Sequence, residues 1–247
     1  MMMYDILTYF SYKYKGNYER VREAIMKKES ITETEVNDVV SKVNSNVTTL
    51  VHKDYPLMFR NAVKPPLVFF YYGNLELLSS RTFVVTGEDD INESYLSVLD
   101  DVVNNFVVMN GAETEVEKYT LRQAIKHNKP IVLILNKSIN TKDIDEDILS
   151  YAKEKGLIIS EFYNEPEDSS IGVESQIRLL GIITKGMLIV NSSIHNVLLT
   201  SLAIDVFSNS GNVMFFPDEK NNEMNKMLLE SGASSVNSFQ DIMEVIQ

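Results

Sequence analysis

From Thr82 onward the chain alternates short apolar runs with longer amphipathic ones, and that alternation leaves few folds open. Apolar runs occupy residues 82–85, 106–109, 131–135, 157–160, 187–190 and 213–216. They lack the in–out alternation of half-exposed strands and read as strands covered on both faces. Residues 93–104, 113–127, 145–155, 173–184 and 195–208 carry helical spacing between them. Parallel strands need crossovers long enough for a helix, and each of these intervals is. The expected class is α/β, a doubly wound, mainly parallel sheet of the Rossmann type. The stretch T-F-V-V-T-G-E-D-D-I-N at residues 82–92 is its centre, a buried strand turning into a helix start. Ligands of open α/β sheets bind at such junctions. Here Glu88, Asp89 and Asp90 crowd the turn.

Ahead of this core the spacing changes. Ile6, Leu7 and Phe10 share one helical face, and Val21, Ala24 and Ile25 another, with Gly16 and Asn17 as the break. Thr32 and Thr34 offer caps to a third helix bearing Val36, Val39, Val40 and Val43. A small helical subdomain is expected over residues 1–52 and the sheet domain over residues 53–247. After residue 230 the pattern predicts a short edge strand and a terminal helix at residues 239–245.

Chemistry is narrowed mainly by what is missing. There is no cysteine, so disulfides, thiolate metal sites and cysteine nucleophiles are excluded. His52, His127 and His195 lack metal-ligand spacing to one another. No Walker loop, G-x-G-x-x-G or serine triad order is present, so no catalytic residue, metal or cofactor is assigned. No apolar run reaches the roughly 20 residues of a membrane span, and a cytoplasmic protein is expected. The formal net charge of −12 disfavours a protein held to nucleic acid by a broad basic surface. One local basic stretch remains. It carries Lys13, Lys15, Arg20, Arg22, Lys27 and Lys28, and Tyr4, Tyr9, Tyr12, Tyr14 and Tyr18 interleave with Lys13, Lys15 and Arg20 as in single-strand binders, although a solvated or packed helix face accounts for the same pattern.

Several short matches occur in a fixed order: Tyr55-Pro56, Pro65-Pro66, Gly73-Asn74-Leu75, Gly156 followed by Ser160-Glu161-Phe162, and Leu228-Leu229 followed by Gly232-Ala233. Over about residues 50–240 the chain resembles the DNA processing protein A (DprA/Smf) family. The resemblance implies a non-catalytic Rossmann-like protein that binds single-stranded DNA, self-associates as a homodimer through its C-terminal part, and hands DNA to a RecA-type recombinase during natural transformation. Met224, Met227, Leu228 and Met243 are the apolar candidates for that self-association. Carried over residue by residue, the family's DNA-facing positions are Gly87 at the first turn, Asn110 and Gly111 at the second, Arg178 of the Arg-Asn-Arg stretch, and Thr200; Lys185 adds charge beside Arg178. Departures are concentrated at the same places. The family's Gly-Ser-Arg is Gly87-Glu88-Asp89 here, and its Ser-Gly-x-Ala-x-Gly-Ile-Asp is replaced by residues 110–117, rich in acids. Two other readings follow: a relative that has lost DNA binding and acts as a protein-interaction module, or a nucleotide-binding phosphoribohydrolase-like protein. The second lacks the Gly-Gly phosphate loop and the arginine–glutamate pair it needs. Arg178 also has a local alternative, an i, i+4 ion pair with Glu174.

Overall fold

The computed structural model describes residues 2–88, 91–191, 196–217 and 222–246. Its centre is a nine-stranded sheet among the described residues: β1 Asn46–Thr49, β2 Val68–Gly73, β3 Thr82–Thr86, β4 Val107–Asn110, β5 Ile131–Ile134, β6 Leu157–Ser160, β7 Gly186–Ile189, β8 Asn212–Phe215 and β9 Ser234–Ser235. Their order is β1-β2-β6-β5-β4-β3-β7-β8-β9. From β6 to β9 every pairing is parallel, with Val108 opposite Ile131, for example. The first two strands add antiparallel to the β6 edge. The expected doubly wound, mainly parallel sheet is therefore present.

Successive strand residues feed opposite faces, which is why their runs look uniformly apolar. Phe83 and Val85 join one core while Val84 joins the other, and Ile131 and Leu133 oppose Val132 and Ile134 in the same way. On one face lie α5 Leu96–Asn105, α6 Glu115–Lys126, α7 Glu146–Lys155 and α11 Phe239–Ile246, through residues such as Leu99, Leu121, Ile148 and Ile242. The other face is covered by α4 Leu57–Arg60, α8 Ser169–Ile183, α9 Val197–Ser208 and α10 Asn222–Glu230. At the N-terminus, α1 Met3–Lys13, α2 Tyr18–Met26 and α3 Glu33–Lys42 close a separate core of Tyr9, Phe10, Val21, Ala24, Val36 and Val39. Thr32 caps α3 reciprocally with Glu35, while Thr34 lies inside the helix.

Two of the apolar residues expected at an exposed self-association surface are not exposed. Met224 and Leu228 are only 2% and 4% accessible, because α10 lays them onto the core of its sheet face. Met227 and Met243 are half-buried against the two cores.

The chain leaves β3 for β4, β5 and β6 on one side of the sheet, and returns to β7, β8 and β9 on the other. The order thus reverses between β3 and β7, and the crevice beyond their C-terminal ends is the place this architecture offers a ligand.

Candidate functional site

At this crevice the turns after β3 and β7 lie against each other. The Val190 N–H donates to the Thr86 carbonyl at 2.9 Å, and the Glu88 N–H to the Asn191 carbonyl at 3.0 Å. A Cβ on Gly87 would stand 3.0 Å from that Asn191 oxygen and 3.1 Å from its nitrogen, so the approach of the two backbones favours glycine. Beyond β7, Asn196 caps α9 by accepting the Leu199 N–H at 3.0 Å, and its side-chain amide donates to Glu88 at 3.3 Å. The Thr200 hydroxyl donates back to the Asn196 carbonyl at 3.2 Å. Asp89 and Asp90, which the sequence places at this turn, lie outside the described residues, as does His195.

The second turn follows β4. Asn110 is fully buried: its amide donates to the carbonyls of Val85 and Glu117, and its side-chain oxygen accepts the Ala112 N–H at 3.0 Å. Ala112 sits at φ 58°, a left-handed position that this side-chain bond supports. Helix α8 passes so close that a Cβ on Gly111 would meet the Gln176 side-chain nitrogen at 2.3 Å, and that nitrogen donates to the last carbonyl of β5, Ile134, at 2.7 Å. Under the turn lies Glu117. Its carboxylate accepts from the Thr86 hydroxyl at 2.7 Å and from the Glu113 N–H at 2.9 Å. Burial pushes its pKa up, and the hydrogen bonds from Glu113 and Thr86 oppose the rise. At the mouth, Lys137 after β5 is 3.4 Å from Glu113, which neutralises that cation.

Arg178 and Lys185 stand outside these two turns. Arg178, halfway along α8, is ion-paired with Glu161, which follows β6, and donates to the Lys64 carbonyl at 2.7 Å. Both side chains of the pair are almost dry, at 11% and 6% accessible, and the Ser175 hydroxyl also donates to Glu161. Glu174, the partner suggested by spacing, instead pairs with Lys64 at 2.9 Å. These groups line a cleft of about 140 Å³ between α2 and α8, with Tyr18 beneath Lys64. Lys185 is exposed in the turn before β7, at the opposite end of that strand from Asn191. Gly87, Asn110, Gly111 and Thr200 are thus brought to the C-terminal edge of β3, β4 and β7; Arg178 lies on the same edge beside the end of β6, and Lys185 lies at the opposite end of β7.

The N-terminal basic stretch is largely spoken for. Lys13 pairs with Glu29 at 2.7 Å, Arg20 with Glu167 at 2.9 Å, and Lys27 with Glu23. Lys13 and Arg20 also cap the Tyr14 ring, at 5.6 and 4.7 Å from its centroid. Among the described residues no group of three or more potential ligands could hold a metal ion, and no helix is long and apolar enough to cross a membrane.

Glu117 was read from the sequence only as one of the acids at the second turn, and Thr86 and Gln176 were given no role in the site. One signal was available: Glu117, Thr120, Leu121 and Ala124 recur at i, i+3, i+4 and i+7, the spacing of the buried α6 face.

Fold and crevice define a doubly wound α/β protein with an N-terminal helical subdomain and a ligand edge between β3 and β7. Comparison with known proteins narrows the class. The DNA recombination-mediator protein A family matches residues 46–247, and the chain belongs to that family. The structure is similar to that of DNA processing protein A (DprA) from Streptococcus pneumoniae, at 14% identity and a TM-score of 0.76, covering 99% of this chain and 98% of that one. It is also similar to DNA processing protein A from Helicobacter pylori, whose structure was described for its single-stranded DNA binding mode, at 15% identity and a TM-score of 0.66 over 81% and 95% of the two chains. No curated protein matches the sequence.

Proposed function

We propose that this chain is a non-catalytic DNA-processing protein that binds single-stranded DNA across the crevice between β3 and β7, and that it works as a homodimer delivering DNA to a RecA-type recombinase. The observation that carries the reading is family membership over residues 46–247, on a fold shared along its whole length with the pneumococcal protein. Half-buried polar groups at Asn191, Asn196 and Thr200 supply hydrogen-bonding surface at the crevice. Cations are scarce there: Lys137 is paired with Glu113, and Arg178 is held by Glu161. Binding should therefore use few phosphate contacts. Each contact on a single strand adds about 0.7 to the slope of log K against log salt, so a shallow slope of roughly −1 to −2 is expected.

A second reading, a family member retained as a protein-interaction module, draws on the same scarcity of free cations. Anisotropy with labelled oligo-dT separates the two. Measurable binding at roughly 50 mM salt with a shallow slope supports the DNA reading, and no binding there supports the module. A variant combining Glu88→Ser with Asp89→Arg restores a cationic first turn, and should tighten binding about tenfold at low salt. No gain would remove the crevice as the interface.

A further inference from the structure

The turn after β4 has the form of an anion site: backbone N–H groups converge at the start of a 12-residue helix, α6, where the helix dipole adds positive potential. The Glu113 N–H does not face solvent but points to Glu117 Oε2 at 2.9 Å. A second donor arrives from the neighbouring strand, the Thr86 hydroxyl, 2.7 Å from Oε1. The acid that receives both is only 7% accessible. Two donors converging on the two oxygens of one carboxylate, with no cation beside it, describe a pocket for one small anion, here filled from within the chain.

We infer that Glu117 is the resident anion of the β4–α6 turn, occupying the place a phosphate oxygen would take, so that this turn is closed to phosphate in the folded protein. The neighbouring groups agree. Asn110 spends both ends of its amide on backbone, which fixes the turn around the carboxylate, and Lys137 is tied to Glu113 at the mouth. Access to the crevice then belongs to the β3 turn and the start of α9, and Asn110 and Gly111 act as positioning residues for Glu117.

Three measurements test this with small probes, so a failure of DNA binding would leave the result untouched. In ¹⁵N-labelled wild-type protein, the Gly111 and Glu113 amide resonances should stay in place during titration with tens of millimolar inorganic phosphate; movement of both would overturn the assignment. In Glu117→Gln, which keeps the shape and one acceptor but loses the charge, the Glu113 amide proton should shift upfield as its charge-assisted bond weakens, and an unchanged shift would contradict it. Glu117→Ala should lower the thermal midpoint by roughly 5 °C or more, and formate should recover at least half of that loss by refilling the pocket. Formate should do no more for wild type than for Glu115→Ala, an exposed acid of the same helix start. Recovery in Glu117→Ala no larger than in that control would overturn the inference. Should Glu117→Ala fail to fold, the first two measurements decide.

Discussion

The guanidinium of Arg178 is locked to the carboxylate of Glu161, joining the middle of α8 to the segment after β6 within the wall of the α2–α8 cleft. The same arginine reaches the Lys64 carbonyl, so one side chain ties three segments distant in sequence. A cation so engaged holds the fold together. Removing one member of a nearly buried pair leaves its partner uncompensated, which costs about 3–5 kcal/mol. Arg178→Ala should therefore lower the urea-unfolding free energy by that order, while Arg178→Met with Glu161→Gln should recover a large part of it. A neutral Arg178→Ala with weakened oligo-dT binding would show instead that the arginine serves DNA.

Tyr55 and Pro66 belong to two separate matches in the family resemblance, and they touch. The Tyr55 hydroxyl donates to the Pro66 carbonyl at 2.7 Å in a buried site, and burial holds its pKa above the ordinary tyrosine value. Tyr55→Phe keeps the ring packing against Phe59 and Phe69 but strands a buried acceptor. The expected cost is about 1–3 kcal/mol in chemical denaturation, with the fold unchanged by circular dichroism.

That contact explains why some features were legible from residues alone. The matches mark places where the backbone needs a particular side chain. Asn74 caps its own turn, Ser160 holds the Lys137 carbonyl, and Gly232 takes φ 94°. The central strands were equally readable, since burial on both faces erases polar alternation. Strand β1 was not, because N-V-T-T is four residues long, half of them threonine, and gains its place only by pairing with β2. The partner of Arg178 was hidden for a related reason. Spacing along one helix reveals Glu174 at i−4, but says nothing of Glu161, which the fold brings beside it. Glu117 looked like one more acid favouring a helix N-terminus, and only the tertiary contact with Thr86 shows where its carboxylate lies.

Glu117 also predicts a pH effect. Its folded-state pKa is raised above the ordinary 4.5 by burial, so folding favours the protonated form. Its contribution is fully present below that ordinary value and is lost as pH rises through the folded-state pKa. Wild type should compare best with Glu117→Gln near about pH 4 and lose ground steadily toward neutrality. Wild type gaining on Glu117→Gln as pH rises would reverse the sign and contradict the placement of the carboxylate.

The central claim is that the crevice between β3 and β7 handles single-stranded DNA. Hydrogen–deuterium exchange with and without saturating oligo-dT tests it most directly. Added protection should appear at residues 86–88, 191 and 196–200, and be absent from Tyr18, Arg178 and Lys185. Protection centred on the α2–α8 cleft or the N-terminal helices, with none at the strand ends, would contradict the account.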